Sequence, residues 1–136
     1  MLMALLPTGC LEAIYARDSP LMGAWTNTDN DQILFKPDTI VMTPNKGQPT
    51  AMTAAECNGV FKLAYGRMET APLADLFPSQ PDLRDKLKVL LVKPEYPVAD
   101  VTCDQGGTTY LLLDDHDVLA IYRDGAVGGV EQLTRI

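Results

Sequence analysis

The fold class of this chain follows from residues 101–135, VTCDQGGTTYLLLDDHDVLAIYRDGAVGGVEQLTR. They contain three short apolar runs, TTYLLL, VLAIY and VEQLT, which are separated by Gly and Asp turns. Runs of this length between turn residues are typical of antiparallel strands joined by tight hairpins. We therefore predict a C-terminal up-and-down meander, with the final strand at the edge of its sheet. The predicted strands cover residues 98–103, 108–113, 118–122 and 130–134.

The same pattern of short apolar runs continues upstream. Lys36-Pro37-Asp38-Thr39 is predicted to be a tight turn, since Pro presets φ at the second position and Asp can bond its own backbone. Links between consecutive strands are too short for a crossover, so we predict a mainly β fold, an antiparallel β-barrel or sandwich of about seven strands. The upstream strands are expected at residues 24–26, 32–35, 40–43 and 60–65.

Residues 70–93 interrupt the strands with a short helical insertion. Pro72 favours a first short helix, and the segment LRDKLKVLLV favours a second one that Pro94 ends. The second helix carries a leucine stripe at helical spacing, which we expect to pack against the sheet. A partner-binding groove is the alternative. The stripe consists of Leu83, Leu87, Leu90 and Leu91.

Length and charge limit the domain organisation and the partners. A chain of 136 residues fits one β-rich domain over residues 18–136, preceded by residues 1–17 as a signal remnant or an N-terminal helix. The net charge is −7, and the 11 basic residues are scattered, which disfavours nucleic acid as a partner. No apolar run approaches the length of about 20 residues that a membrane-spanning helix needs.

Two of the three cysteines are predicted to form a disulfide. Cys57 and Cys103 are both expected at strand edges, and a bond between them stabilises the fold by about 4 kcal/mol in the chain-entropy picture. The alternative is a pair of reduced, buried cysteines in a cytoplasmic protein.

The first ten residues, MLMALLPTGC, contain the third cysteine, Cys10. Residues 6–10, with small Thr8 and Gly9 before the cysteine, resemble the end of a bacterial lipoprotein signal. The resemblance implies lipidation of Cys10, a periplasmic location and attachment to the outer membrane. Membrane contact is then expected only through this lipid. Alternatively, Thr8 caps a helix that runs from Gly9 to Arg17, and the protein is cytoplasmic.

Gly23-Ala24-Trp25 resembles the G-x-W opening of lipocalins and of bacterial periplasmic protease inhibitors with small β-barrels. In those proteins the tryptophan plugs one end of the barrel. The alternative is a tryptophan packed in an ordinary core. In both cases Trp25 is predicted to be a large buried anchor whose indole N–H needs a hydrogen-bond partner.

No residue pattern indicates catalysis, so we predict no catalytic, cofactor-binding or metal-binding residue and no cofactor. Asp114, Asp115, His116 and Asp117 have the chemistry of metal ligands, but four consecutive turn residues cannot all face one ion. Asp is also common at turns because it bonds to the backbone.

These observations favour a non-catalytic, exported envelope protein that binds another protein, as an inhibitor or an accessory factor. The alternative is a lipocalin-like carrier of a small apolar ligand, which needs an open interior. An interior filled by Phe35, Phe61, Leu111 and Ile121 would exclude a carrier. A metal-dependent enzyme around His116 is the remaining hypothesis.

Overall fold

An antiparallel sheet of ten strands forms the body of the molecule in the computed structural model, which describes residues 11–57, 59–74, 77, 80–104, 106–124 and 127–136. The predicted fold class, a mainly β barrel-like sheet with a helical insertion, is confirmed. In chain order the elements are β1 Leu11–Ala13, β2 Gly23–Thr26, β3 Gln32–Phe35, β4 Ile40–Thr43, β5 Thr50–Ala51, β6 Phe61–Glu69, α1 Thr70–Ala74, α2 Pro81–Leu90, β7 Glu95–Cys103, β8 Gly106–Leu112, β9 Asp117–Asp124 and β10 Val127–Arg135. Within the described residues, 3-10 helices lie at Ala16–Asp18 and Ala54–Cys57.

The C-terminal meander is confirmed, and it continues into the N-terminal hairpins. The strand order is β1-β6-β7-β8-β9-β10-β2-β3-β4-β5, so each of β6 to β9 pairs with the next strand in sequence. The prediction that the last strand lies at the edge is wrong. Strand β10 pairs with β9 on one side and, through Thr134↔Thr26 and Arg135↔Trp25, with β2 on the other. The edges of the sheet are instead the short strands β1 and β5, which the sequence analysis did not predict.

The sheet curves so strongly that strands far apart in the strand order share one core. Ile40 on β4 and Val101 on β7 belong to the same cluster of buried side chains on the inner face. The hydroxyl of Tyr65 on β6 donates to the carbonyl oxygen of Lys36, in the β3–β4 turn, at 2.6 Å. Burial of apolar surface on both sides of this curve stabilises it. The inner cluster comprises Leu21, Trp25, Ile33, Phe35, Ile40, Cys57, Tyr65, Ala99, Val101, Tyr110, Leu112, Val118, Ala120 and Leu133.

The helical insertion covers the outer face of the central strands. Pro81 occupies the first turn of α2, where its missing N–H costs nothing. Leu87 is fully buried, and the predicted packing of the leucine stripe against the sheet is confirmed. The central parts of strands β7 to β9 are therefore buried on both faces, as the consecutive buried residues 98–99, 109–112 and 118–121 show. The outer cluster comprises Met68, Phe77, Leu87, Leu91, Tyr96, Val98, Leu111, Leu119 and Ile121, with Leu83, Leu90, Leu113 and Val130 packed against it.

The N-terminal segment corrects a second expectation. A helix ending at Arg17 was the alternative to a signal remnant, but Leu11–Ala13 is a strand that pairs with Gly66, Arg67 and Met68. The sheet thus begins at Leu11 rather than at residue 18. Cys10 lies outside the described residues.

Candidate functional site

A solvent-open cleft of about 350 Å³ lies where the β2–β3 turn meets strands β9 and β10. The β2–β3 turn, the end of β4 and the start of β10 lie at the same end of the sheet, because neighbouring strands are antiparallel. We call this feature the acidic cleft, for the two carboxylates that border it. It is lined by Asn27, Asp31, Gln32, Ile33, Met42, Thr43, Pro44, Tyr122 and Glu131.

Asn27 organises the polar wall of the acidic cleft. Its Nδ2 donates to Asp31 Oδ2 at 3.1 Å and to Glu131 Oε2 at 3.0 Å. Its Oδ1 accepts the backbone N–H groups of Asp29 and Asp31. An asparagine amide offers two N–H donors, so both are used, one on each carboxylate. The result is a pair of carboxylates held next to each other by one neutral side chain.

The β2–β3 turn places Asn27 by local hydrogen bonds. The backbone N–H of Asn27 donates to the carbonyl of Asp31 at 3.1 Å, and the N–H of Asn30 donates back to the carbonyl of Asn27 at 3.2 Å. Asn30 has a φ of 64°, in the left-handed region that asparagine tolerates better than most residues. The sequence NTDND therefore suits this turn.

Tyr122 completes the wall from strand β9. Its hydroxyl donates to Glu131 Oε1 at 2.6 Å, and burial followed by this hydrogen bond raises the pKa of Tyr122 well above its usual value. The phenol therefore stays protonated and continues to donate. The pKa of Asp31 is lowered, because the backbone N–H of Asn45 and then the Asn27 amide donate to its carboxylate. Asp31 is accordingly negatively charged at neutral pH.

The floor of the acidic cleft is apolar. Ile33 is 4% exposed and belongs to the inner cluster, and Met42 packs against that cluster. Pro44 lies at the rim and is exposed. The arrangement combines a charged wall with an apolar floor, and its chemistry suits an amphipathic group that carries a positive charge.

The disulfide between Cys57 and Cys103 is confirmed. It joins the segment before β6 to the end of β7, with a Cα–Cα distance of 4.7 Å. The backbone N–H of Asp104 also donates to the carbonyl of Cys57 at 3.2 Å. Because β7 ends at the same end of the sheet where β10 begins, the disulfide and the acidic cleft share that end.

Trp25 lies on β2, two residues before Asn27, and pairs across the sheet with Ile33, which lines the floor of the acidic cleft. It is 0% exposed, and its indole N–H donates to the carbonyl oxygen of Leu21 at 2.9 Å. The guanidinium carbon of Arg135 lies 4.2 Å from the centre of the indole ring, a cation–π contact. Arg135 also donates to three backbone carbonyl oxygens, those of Asp115, Met22 and Pro20. Gly23 before the tryptophan has a φ of 114°, which only glycine adopts readily.

The turn that contains His116 is explained by backbone hydrogen bonds. Asp114 Oδ1 accepts the N–H groups of His116 at 2.8 Å and of Asp117 at 2.9 Å. These contacts, that of His116 first, lower the pKa of Asp114. Among the described residues no group of three His, Cys, Asp or Glu side chains is placed to hold a metal ion.

Sequence reasoning missed the acidic cleft. Residues 27–31 were predicted only as the link between two strands, and Tyr122 and Glu131 only as strand residues. A signal was present in the period-two alternation of β10: Leu133 faces the inner cluster, so Glu131 and Arg135 are charged residues on the inward-facing side. Charges at such positions need partners, and here one lies in the middle of β10 and the other at its last residue.

Comparisons of the chain with protein-family models, with curated protein sequences and with solved structures gave no match. None of the described helices has the length and apolar character to span a membrane.

Proposed function

We propose that this chain is a non-catalytic, exported bacterial envelope protein that binds another protein through its acidic cleft. The observation that carries the proposal is the contrast between a filled inner face and an open cleft beside it. Trp25, Phe35, Tyr65 and Tyr110 occupy the inner face and are at most 5% exposed. The acidic cleft, with its fixed carboxylates, is the recognition surface.

The filled inner face supports protein binding over the carrier hypothesis. A carrier of an apolar ligand needs space inside its barrel. Phe35 is 2% exposed and stacks edge-on against Tyr110 at a centroid distance of 5.1 Å, and Phe61 packs against the same cluster. Of the four residues whose presence in the interior would exclude a carrier, Leu111 and Ile121 do not contribute, because they face the outer cluster under the helices.

The disulfide supports an oxidising compartment, since such bonds are rare in the cytoplasm. It therefore favours the periplasm over the cytoplasmic alternative. We retain lipidation at Cys10 as the proposed membrane attachment, on the resemblance of residues 6–10 to a lipoprotein signal. The proposed partner is a protein rather than nucleic acid, because the net charge of −7 repels phosphates.

Site-specific photo-cross-linking in envelope extract tests the protein-binding proposal. A photoreactive amino acid replaces Gln32, which is exposed and lines the acidic cleft, or Val92, which is 79% exposed and follows α2. We expect one discrete cross-linked protein from position 32 and none from position 92. No adduct from position 32, or the same adducts from both positions, contradicts the proposal.

A further inference from the structure

The acidic cleft combines two adjacent carboxylates with an apolar floor. We propose that it receives an arginine side chain presented by the protein partner. This inference rests on the proposed protein-binding function and specifies the chemistry of the contact.

The carboxylates of the acidic cleft have only neutral partners in the described part of the chain. Asp31 accepts from the amide of Asn27 and the backbone N–H of Asn45, and Glu131 accepts from Asn27 and Tyr122. The two ion pairs found among the described residues involve other carboxylates, those of Glu95 and Asp100. Two adjacent negative charges without a cation repel each other, and a positive ligand relieves that repulsion.

The positions of the two carboxylates favour a guanidinium over a compact ammonium. Both lie within hydrogen-bond distance of the single Nδ2 atom of Asn27, so one planar group can reach both. Each ionised carboxylate has about four lone-pair sites, of which only two are used here. Arginine presents five N–H donors in a rigid fork, whereas lysine presents a point charge.

The floor and the volume fit the rest of an arginine side chain. Its methylene stem can lie on Ile33, Met42 and Pro44 while the charged head meets the polar wall. The volume of about 350 Å³ is near the lower limit of small-molecule sites. A single side chain is therefore a better match than a bulky ligand.

A titration followed by nuclear magnetic resonance tests the inference on the full chain. The probes are Nα-acetyl-arginine methylamide, the corresponding lysine compound and the citrulline compound, which has the shape of arginine without its charge. We expect saturable shifts of the Asn27 side-chain amide and of the Glu131 backbone amide with arginine, weaker shifts with lysine and none with citrulline. Equal binding of citrulline, or no shift at these groups with arginine, overturns the inference.

Charge-matched variants separate recognition from a general effect of net charge. The double variant Asp31→Asn/Glu131→Gln is expected to bind the arginine probe about tenfold more weakly or worse, because charge-assisted hydrogen bonds are lost. The control Asp38→Asn/Asp115→Asn removes two charges at exposed turn positions outside the acidic cleft and is expected to bind like the wild type. Equal weakening in both variants overturns the inference. Thermal melting confirms that each variant is folded.

The titration and the cross-linking experiment can fail separately. A discrete adduct at position 32 without arginine binding retains the protein-binding function and removes the arginine contact. Arginine binding without any adduct retains the chemistry of the acidic cleft and removes the protein-binding function. Calcium chloride is a further probe: if it displaces arginine and binds more tightly, the site is a cation site and the inference is wrong.

Discussion

The two charged residues on the inward-facing side of β10 use their charge in opposite ways. Arg135, at the end of the strand, lies over the fully buried ring of Trp25 and donates to three backbone carbonyl oxygens. Glu131, in the middle of the strand, borders with Asp31 a space that is open to solvent. Both side chains of β10 are partly exposed, so the difference lies in their partners, which are backbone carbonyl oxygens for Arg135 and the neutral side chains of Asn27 and Tyr122 for Glu131.

This difference separates a structural charge from one that remains available. Arg135 donates to three backbone carbonyl oxygens, which fixes β10 against the segment before β2. The carboxylates keep unused acceptor sites, and their neutral donors hold them in place without cancelling their charge. We infer that the contact between Trp25 and Arg135 serves stability and that the acidic cleft serves binding. Substitutions at these two places should therefore have different effects.

The largest expected effect on stability comes from substitution of Trp25. Trp25→Ala removes a fully buried ring, its hydrogen bond to Leu21 and the surface under Arg135. We expect the free energy of unfolding to fall by about 5 kcal/mol, the upper part of the range for large-to-small substitutions in a core. Urea denaturation measures this change. Trp25→Phe keeps an aromatic ring and is expected to lose less. A loss of less than about 1 kcal/mol in unfolding free energy for Trp25→Ala would show that Trp25 is not a structural anchor.

The next largest effect on stability is expected from loss of the disulfide. Cys57→Ala/Cys103→Ala opens a covalent loop between residues 46 positions apart. The unfolded chain gains conformational freedom, so we expect a loss of about 4 kcal/mol in unfolding free energy. Urea denaturation without reductant measures the loss. With excess reductant, the wild type should become as unstable as the variant. If reductant changes the wild type and the variant equally, the explanation by loop closure fails.

The sequence predicted the parts of the fold that depend on local patterns. Strands β3 and β4, with the Lys36–Thr39 turn between them, follow from Pro37 and from the apolar runs on each side. The leucine stripe of α2 and the disulfide were also predicted, because spacing and chain position carry that information. These features depend on few residues that are close in sequence or chemically distinctive.

The features that the sequence did not reveal depend on long-range pairing. β10 was predicted as an edge strand because its pairing with β2 joins residues more than 100 positions apart, such as Thr134 and Thr26. The sequence also did not show that Leu111 and Ile121 face the outer cluster, for a related reason. A strand covered on both faces loses its alternation, so the pattern cannot show which side is the interior. The acidic cleft combines both difficulties, since Asn27 and Glu131 meet only after β10 pairs with β2.

The smallest expected effect comes from the hydrogen bond of Tyr122 and depends on pH. Tyr122→Phe removes one hydrogen bond to Glu131 and is expected to lower the unfolding free energy by about 1 kcal/mol at pH 8. The pKa of Tyr122 is raised in the folded protein, whereas tyrosine in the unfolded chain titrates near pH 10. The stability that the protonated phenol contributes is therefore complete below about pH 10 and is lost as the pH rises toward the folded pKa.

The difference in stability between wild type and Tyr122→Phe should accordingly shrink between pH 9 and pH 11. Both proteins still become less stable in this range, because burial also raises the pKa of Tyr110, to about 12, and that of Tyr65. Tyr15→Phe is the matched control, since the Tyr15 side chain is 80% exposed and its substitution is expected to leave the unfolding free energy unchanged. A difference for Tyr122→Phe that stays constant with pH would mean that the phenol is free to ionise. The acidic cleft would then lack the fixed donor that holds Glu131 in place.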